Sequence, residues 1–462
     1  MFLWILVVSS IFAFIAAMGI GANDAANSFA TSVGSKTLTI RQAVILAMIF
    51  ECLGAILMGS HVTDTIRKGI VDYQCFESQP YVLMYGSMWV IFSVAVWLFL
   101  ASKFEMPVST THSCVGGMVG IGLALGGSDC VHWVKYKPEF PYIGGVGGIV
   151  LSWLFSPILS AILSIFIFGT IRSTVLRKPF ERYRSNIIYC VIVGATVTIN
   201  AFFIFYKGAK GLGLDKTPLA LALGVSFGLG VISSLITIPI VPYFKRKARE
   251  SVELEVTVAD VELSNTTAKI FKNDKEKADV KCIHDNAEIF DPRTEHLFKY
   301  LQVFTAITDA FSHGANDVAN AIGPFAVVWG VYNAQALEKK TAMGDDAYWI
   351  LALGGVGIAL GLLVYGYKIT YAIGEKLCKI TPSRGTSIEL ASALVVILGS
   401  RLKIPLSTSH CQVGATVGVG LLEGKAGVNK TICGKTMLGW IITCIVVGVT
   451  SGALAAQGIY SP

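Results

Sequence analysis

Apolar and polar residues fall along this chain in long blocks rather than in a strict helical or strand period. A spanning helix needs about 20 mostly apolar residues. By that ruler the blocks predict twelve membrane-embedded segments, at 3–20, 41–60, 81–102, 105–126, 142–170, 187–206, 217–241, 298–320, 347–368, 387–401, 405–422 and 434–456. The expected fold class is an all-α polytopic membrane protein with broken helices. Segments 105–126 and 405–422 are rich in glycine and open on Pro-x-Ser/Thr, so each is expected as a span or as part of a re-entrant hairpin. The long polar stretch runs from Tyr243 to Lys299 and opens with Lys245-Arg246-Lys247-Ala248-Arg249. Acids and bases mix there with few aromatics, as in a partly disordered loop. The chain thus divides into a first membrane half at 1–242 (a repeat at about 3–126 plus additional helices), a cytoplasmic polar loop at 243–297 and a second membrane half at 298–462. The first apolar run starts at Phe2 with no basic leader or cleavage site, and reads as a retained span.

Composition agrees. Of 462 residues, 53% are hydrophobic and only 15% charged, with a mean hydropathy of +0.64; a soluble domain carries about 25% charge. The net charge of +7 needs no nucleic-acid partner, because cytoplasmic loops of membrane proteins are rich in Lys and Arg. Ten cysteines show no CxxC pair and no zinc spacing, so most read as small core hydrophobes. Arg172, Arg177, Lys178, Arg182 and Arg184 crowd one loop, and the Lys245 cluster follows two segments later. Both loops are expected in the cytosol, which puts both termini outside. Cys75 and Cys130 then fall in external loops, where a disulfide between them is permitted.

The chain repeats itself. Gly21-Ala22-Asn23-Asp24-Ala25-Ala26-Asn27 returns as Gly314-Ala315-Asn316-Asp317-Val318-Ala319-Asn320, and Pro107-Val108-Ser109-Thr110-Thr111-His112 returns as Pro405-Leu406-Ser407-Thr408-Ser409-His410. Seven expected segments separate the starts of the two copies. An odd number makes the halves enter from opposite sides, the inverted repeat of many secondary transporters, whose site lies at the membrane midplane.

Each phrase carries its own chemistry. Positions three and four apart share a helix face, so Asn23, Asp24 and Asn27 present a carboxylate and two amide oxygens together, as do Asn316, Asp317 and Asn320. Oxygen sets of this kind bind hard cations. Pro107 and Pro405 are expected to open helices. The hydroxyls of Ser109, Thr110, Thr111, Ser407, Thr408 and Ser409, with free N–H groups at helix starts, then form a nest for a tetrahedral anion. His112 and His410 are expected to pack behind it. Glu51 and Glu389 lie in apolar runs, where ionisable residues mark ion or proton pathways. Four acids beside an anion, with no Lys or Arg in either motif, call for a bound cation or for protons on the carboxylates. An enzyme acting on phosphate esters would need an activated nucleophile or metal centre, and no P-loop is present.

These phrases resemble the signatures of the inorganic phosphate transporter (PiT) family of sodium- or proton-coupled phosphate symporters. Arg41-Gln42-Ala43 and Thr65-Ile66-Arg67-Lys68-Gly69-Ile70 bring the first half close to eukaryotic sodium-dependent members. Ala25 stands where the family motif has Val, Ser409 where Thr is commoner, and the central stretch is shorter than in vertebrate relatives. The resemblance implies a plasma-membrane homodimer with no cofactor, in which sodium ions are co-transported ligands. It also implies phosphate contacts at Ser109, Thr110, Thr111, Ser407, Thr408 and Ser409, sodium contacts at Asn23, Asp24, Asn27, Asn316, Asp317 and Asn320, and transport-essential glutamates at Glu51 and Glu389. Sodium-coupled phosphate import is the function expected; a proton-coupled phosphate or sulfate carrier is the alternative.

Overall fold

Why four of the twelve expected segments fail the apolar ruler is the key to the architecture. In a computed structural model, residues 2–138, 140–180, 184–206, 213–258, 274–337, 348–366, 376–424 and 426–461 are described. Fifteen α-helices are found among them: α1 (Leu3–Ile20), α2 (Ala26–Gly34), α3 (Ile40–Met58), α4 (Ser60–Gly69), α5 (Pro80–Lys103), α6 (Thr110–Gly126), α7 (Gly145–Ile171), α8 (Arg184–Phe205), α9 (Leu219–Val258), α10 (Asp274–Asn286), α11 (Pro292–Ala334), α12 (Tyr348–Gly361), α13 (Pro382–Arg401), α14 (Thr408–Leu421) and α15 (Lys430–Tyr460). Among the described residues, eight helical stretches are long and apolar enough to cross a membrane. The expected segments 105–126, 298–320, 387–401 and 405–422 are helical but are not among the eight. Two are short: α6 has 17 residues and α14 has 14, about 26 and 21 Å at 1.5 Å per residue. The other two, α11 and α13, bury Gln302, Asp309, His313 and Asn316, and Arg384 and Glu389. These four helices are largely buried in protein and carry many of the buried polar residues.

Three of them belong to two hairpins. Helix α5 turns back into α6, and α13 turns back into α14. Each first arm starts with proline in its first turn and ends in a 6→1 bond, Met106 N–H to Ala101 O and Ile404 N–H to Gly399 O, both 2.9 Å. That closure needs a left-handed residue, supplied by Glu105 (φ 56°) and Lys403 (φ 57°). The hairpin tips meet: Ser109 Oγ lies 2.9 Å from Ser407 Oγ. Helix α6 packs on α15 and α14 on α7, while α11 runs between α3, α13 and α1. Small residues permit this approach; a Cβ on Gly120 would come within 2.0 Å of the Gly448 carbonyl oxygen.

The repeated motif is held differently in its two copies. In the first, a π-helical turn at Gly21–Ala25 joins α1 to α2; in the second, α11 runs through unbroken. Both copies open on a glycine against foreign backbone. A Cβ on Gly21 would meet the Ile358 carbonyl oxygen at 1.8 Å, and one on Gly314 the Glu51 carbonyl oxygen at 2.2 Å.

The stretch 243–297, expected as a polar loop, is largely helical where described. Helix α9 continues to Val258, α10 occupies Asp274–Asn286 and α11 begins at Pro292; residues 259–273 lie outside the described ones. Polar composition was a poor guide because this segment docks on the bundle through Val280, Ile283, Ala287 and Phe290, all buried. At the opposite end, Cys75 and Cys130 form a disulfide, and β1 (Lys135–Tyr136) pairs with β2 (Ile143–Gly144).

Candidate functional site

Both motif carboxylates sit where the hairpin tips meet, and both are buried. Asp24 accepts the hydroxyls of Thr110 at 2.8 Å and Ser409 at 2.7 Å. One carboxylate is therefore held by both hairpins. Asp317 accepts the Thr408 hydroxyl and the amides of Asn316 (2.7 Å) and Asn320 (3.2 Å). The Asn320 amide also reaches Thr110 Oγ1 (3.0 Å) and Thr111 Oγ1 (3.2 Å). The other asparagines tie down the turns. Asn23 donates to the Met106 carbonyl and accepts the Val108 N–H, both at 3.0 Å, and Asn316 donates to the Leu406 carbonyl at 2.8 Å. Two hydroxyls cross between hairpins, Thr111 to Leu406 O at 2.8 Å and Ser409 to Val108 O at 3.3 Å. The side chain of Asn27 lies outside the described ones.

Pro107 and Pro405 do not open the helices. Ser109 and Ser407 are the N-caps, each in extended conformation with Oγ accepting the N–H of His112 or His410 at 3.3 Å. A cap oxygen must sit on a non-helical residue just before the first turn, so the prolines stay two residues upstream. Two helix N-termini, each with partial positive charge, therefore face one spot. Behind it four rings stack. His112 lies on Trp153 and His410 on Trp440, centroids 3.6 Å apart in each pair, and the two imidazoles are 4.7 Å apart. His112 Nδ1 also stands 2.7 Å from Ser109 Oγ.

The two glutamates are not equivalent. Glu389 accepts from Thr31 (2.6 Å), Ser32 (2.5 Å), Thr305 (2.7 Å) and the Gln302 amide (3.2 Å). Glu51 is met at 2.8 Å by His313 Nδ1, and its other oxygen has no hydrogen-bond partner among the described residues. His313 Nε2 lies 2.9 Å from Asp317 Oδ2, so one imidazole stands between two carboxylates, hydrogen-bonded to Glu51 and in close contact with Asp317. Asp309, fully inside, leaves Oδ2 without a hydrogen-bond partner among the described residues. Sequence reasoning passed over His313, Asp309, Gln302 and Thr305. They recur on α11 at spacings of three and four ahead of Asp317, a one-face signal that was available.

Asp24, His313 and Asp317 each offer a ligand atom within 4.8 Å of the others. With the surrounding amide and hydroxyl oxygens the set suits a cation, while the paired helix starts suit an anion. Both kinds of group meet in one buried cluster, hereafter the chamber. Outside it, Arg172 and Arg177 close on Glu288, and Arg384 on Glu423 at 2.7 Å. The hydrogen bond from Arg177, then those from Arg172, pull the Glu288 carboxyl down to about 2.

Comparison with known proteins gives the family. Residues 20–451 match the phosphate transporter family. The chain is 36% identical to a candidate phosphate permease of Pyrococcus abyssi, over 95% of this chain and 94% of the relative. It is 30% identical to the phosphate-repressible phosphate permease of Neurospora crassa, over 99% and 98%. A solved structure, titled the sodium-dependent phosphate transporter, superposes with a TM-score of 0.79 at 32% identity, covering 98% of both chains. With eight helices among the described residues apolar enough to cross a membrane, and buried carboxylates and hydroxyls where two hairpin tips meet, this chain is an integral membrane protein and belongs to the phosphate transporter family.

Proposed function

We propose that the protein is a secondary-active symporter that moves inorganic phosphate into the cytosol with sodium, by alternating access around the chamber. The observation that carries this reading is the sharing of Asp24: one carboxylate takes hydroxyls from Thr110 on one hairpin and Ser409 on the other. The groups assigned to phosphate (Ser109, Thr110, Thr111, Ser407, Thr408, Ser409) adjoin those assigned to sodium (Asn23, Asp24, Asn316, Asp317, Asn320), with hydrogen bonds from Thr110, Thr408 and Ser409 to the two carboxylates; Asn27 is assigned to sodium from the motif alone. When a cation draws the carboxylates away, their hydroxyl donors turn to the anion; the cation also offsets the anion's charge. Coupling needs no distant relay. Glu51 and Glu389 lie on the cation's route in this reading. The family consists of transporters, and nothing in the chamber is called on to make or break a covalent bond.

The repeat at about 3–126 and the second membrane half at 298–462 are read as inverted repeats. A hairpin enters and leaves on one side, so treating 81–126 as a hairpin lowers the crossings between motif copies from seven to five. The number stays odd, and both termini stay outside. The Arg172 cluster and the 243–297 segment then face the cytosol.

Labelled phosphate uptake into proteoliposomes tests the proposal. Accumulation should follow an inward sodium gradient and resist excess sulfate. Accumulation driven equally by a proton gradient without sodium would favour the proton-coupled alternative instead.

A further inference from the structure

A second site lies on the outer side of the α13–α14 turn, next to the chamber and sharing Leu406 with it. Between α7, residues 140–143 and this turn runs an apolar groove of about 490 Å³, lined among others by Leu151, Phe155, Leu159, Leu398 and Leu402. Phe155 is 60% exposed and Leu151 39%, so the groove opens away from the bundle. From Gly148 to Leu159 it follows α7 for about 17 Å, room for much of an acyl chain.

Its mouth is basic. Lys135 pairs with Gly144 across the small sheet, Lys137 lays its side chain over Gly144, and Lys403 sits in the hairpin turn between two groove-lining residues. No carboxylate among the described residues pairs with any of the three. Lys137 is held below its ordinary pKa by burial first, then by the charges of Lys403 and Lys135. Three clustered ammonium groups, one partly desolvated, are unfavourable until an anion joins them. Tyr136, Phe140 and Tyr142 project beside them, 83%, 63% and 62% exposed, as aromatic side chains do at the lipid–water interface.

We propose that this groove binds an anionic phospholipid, its phosphate between Lys135, Lys137 and Lys403 and one acyl chain along Leu151, Phe155 and Leu402. An apolar channel continuing from the lysines selects a lipid over free phosphate, which has no use for it. The lipid would also steady the chamber, because Leu406, four residues past Leu402, takes the Asn316 amide and the Thr111 hydroxyl on its carbonyl.

Native mass spectrometry of the delipidated full chain tests this with phosphatidylglycerol, phosphatidylcholine of the same chains, and inorganic phosphate alone. The expected result is one phosphatidylglycerol per chain, with phosphatidylcholine retained at least tenfold more weakly. Retention should fall at least tenfold in Lys137→Gln/Lys403→Asn, where Asn tolerates the left-handed backbone, and in the groove-filling Leu151→Trp. Size-exclusion profiles verify that the variants fold. Equal retention of the two lipids, unchanged retention in folded variants, or full displacement by inorganic phosphate at matched concentration would each overturn the proposal. So would a dimer that holds no lipid and separates on Leu151→Trp, since a second copy would then be the occupant.

Discussion

Replacing Asp24 by Asn keeps the side chain's shape and one acceptor oxygen but removes its charge from a site where charge is the point. Oxygens of Asp24 and Asp317 come within 4.8 Å of each other through a shared ligand geometry. A monovalent cation between them is attracted to Asp24 by about 3.5 kcal/mol at 4.8 Å with an effective dielectric near 20, and by more if it sits closer. The repulsion between the carboxylates exists with or without the ion, so it cancels from the binding difference. Asp24→Asn should therefore raise the half-saturating sodium concentration by roughly two to three powers of ten. The assay is initial phosphate uptake into proteoliposomes against external sodium, with size-exclusion chromatography verifying the fold. A half-saturating value within threefold of the unsubstituted protein would refute the cation assignment at Asp24.

Other expectations are simpler to state. Ser109→Ala with Ser407→Ala removes two caps at about 1 kcal/mol each and should raise the apparent phosphate Km at least tenfold; wild-type uptake kinetics in the folded double variant would dismiss the nest. His313→Gln takes away the group shared by Glu51 and Asp317, leaving a buried acceptor unmet at about 1–3 kcal/mol. Its maximal uptake should drop at least tenfold at equal expression, and an unchanged rate would make these contacts incidental. Glu288, depressed from 4.5 to about 2, lends stability that is complete above 4.5 and disappears as pH falls toward 2. The thermal unfolding temperature should fall over that window, and Glu288→Gln should flatten the dependence; parallel curves would show that these ion pairs do not matter to the fold.

What could be read from the chain was what it says twice. The Asn-Asp phrases and the hydroxyl phrases announced themselves by repetition, and the structure brings both pairs to one place. Residues present in one copy gave no such signal. His313 and Asp309 correspond by register to Ile20 and Ala16, so comparing the copies hid them, although a helical face along α11 would have exposed them. The prolines misplaced the helix starts because serine, a better cap, stood two residues later. The central stretch looked disordered because polarity was counted without asking which face Val280, Ile283 and Phe290 could bury.

The ring stack behind the hairpin caps also makes the protein its own optical gauge. Trp153 and Trp440 each lie against an imidazole at 3.6 Å, a separation at which contact quenching operates, and the two imidazoles belong to opposite hairpins. Any opening between α6 and α14 must pull this sandwich apart and brighten at least one indole. With the other six of the eight tryptophans replaced by phenylalanine, stopped-flow emission would time the parting of the hairpins without an attached dye.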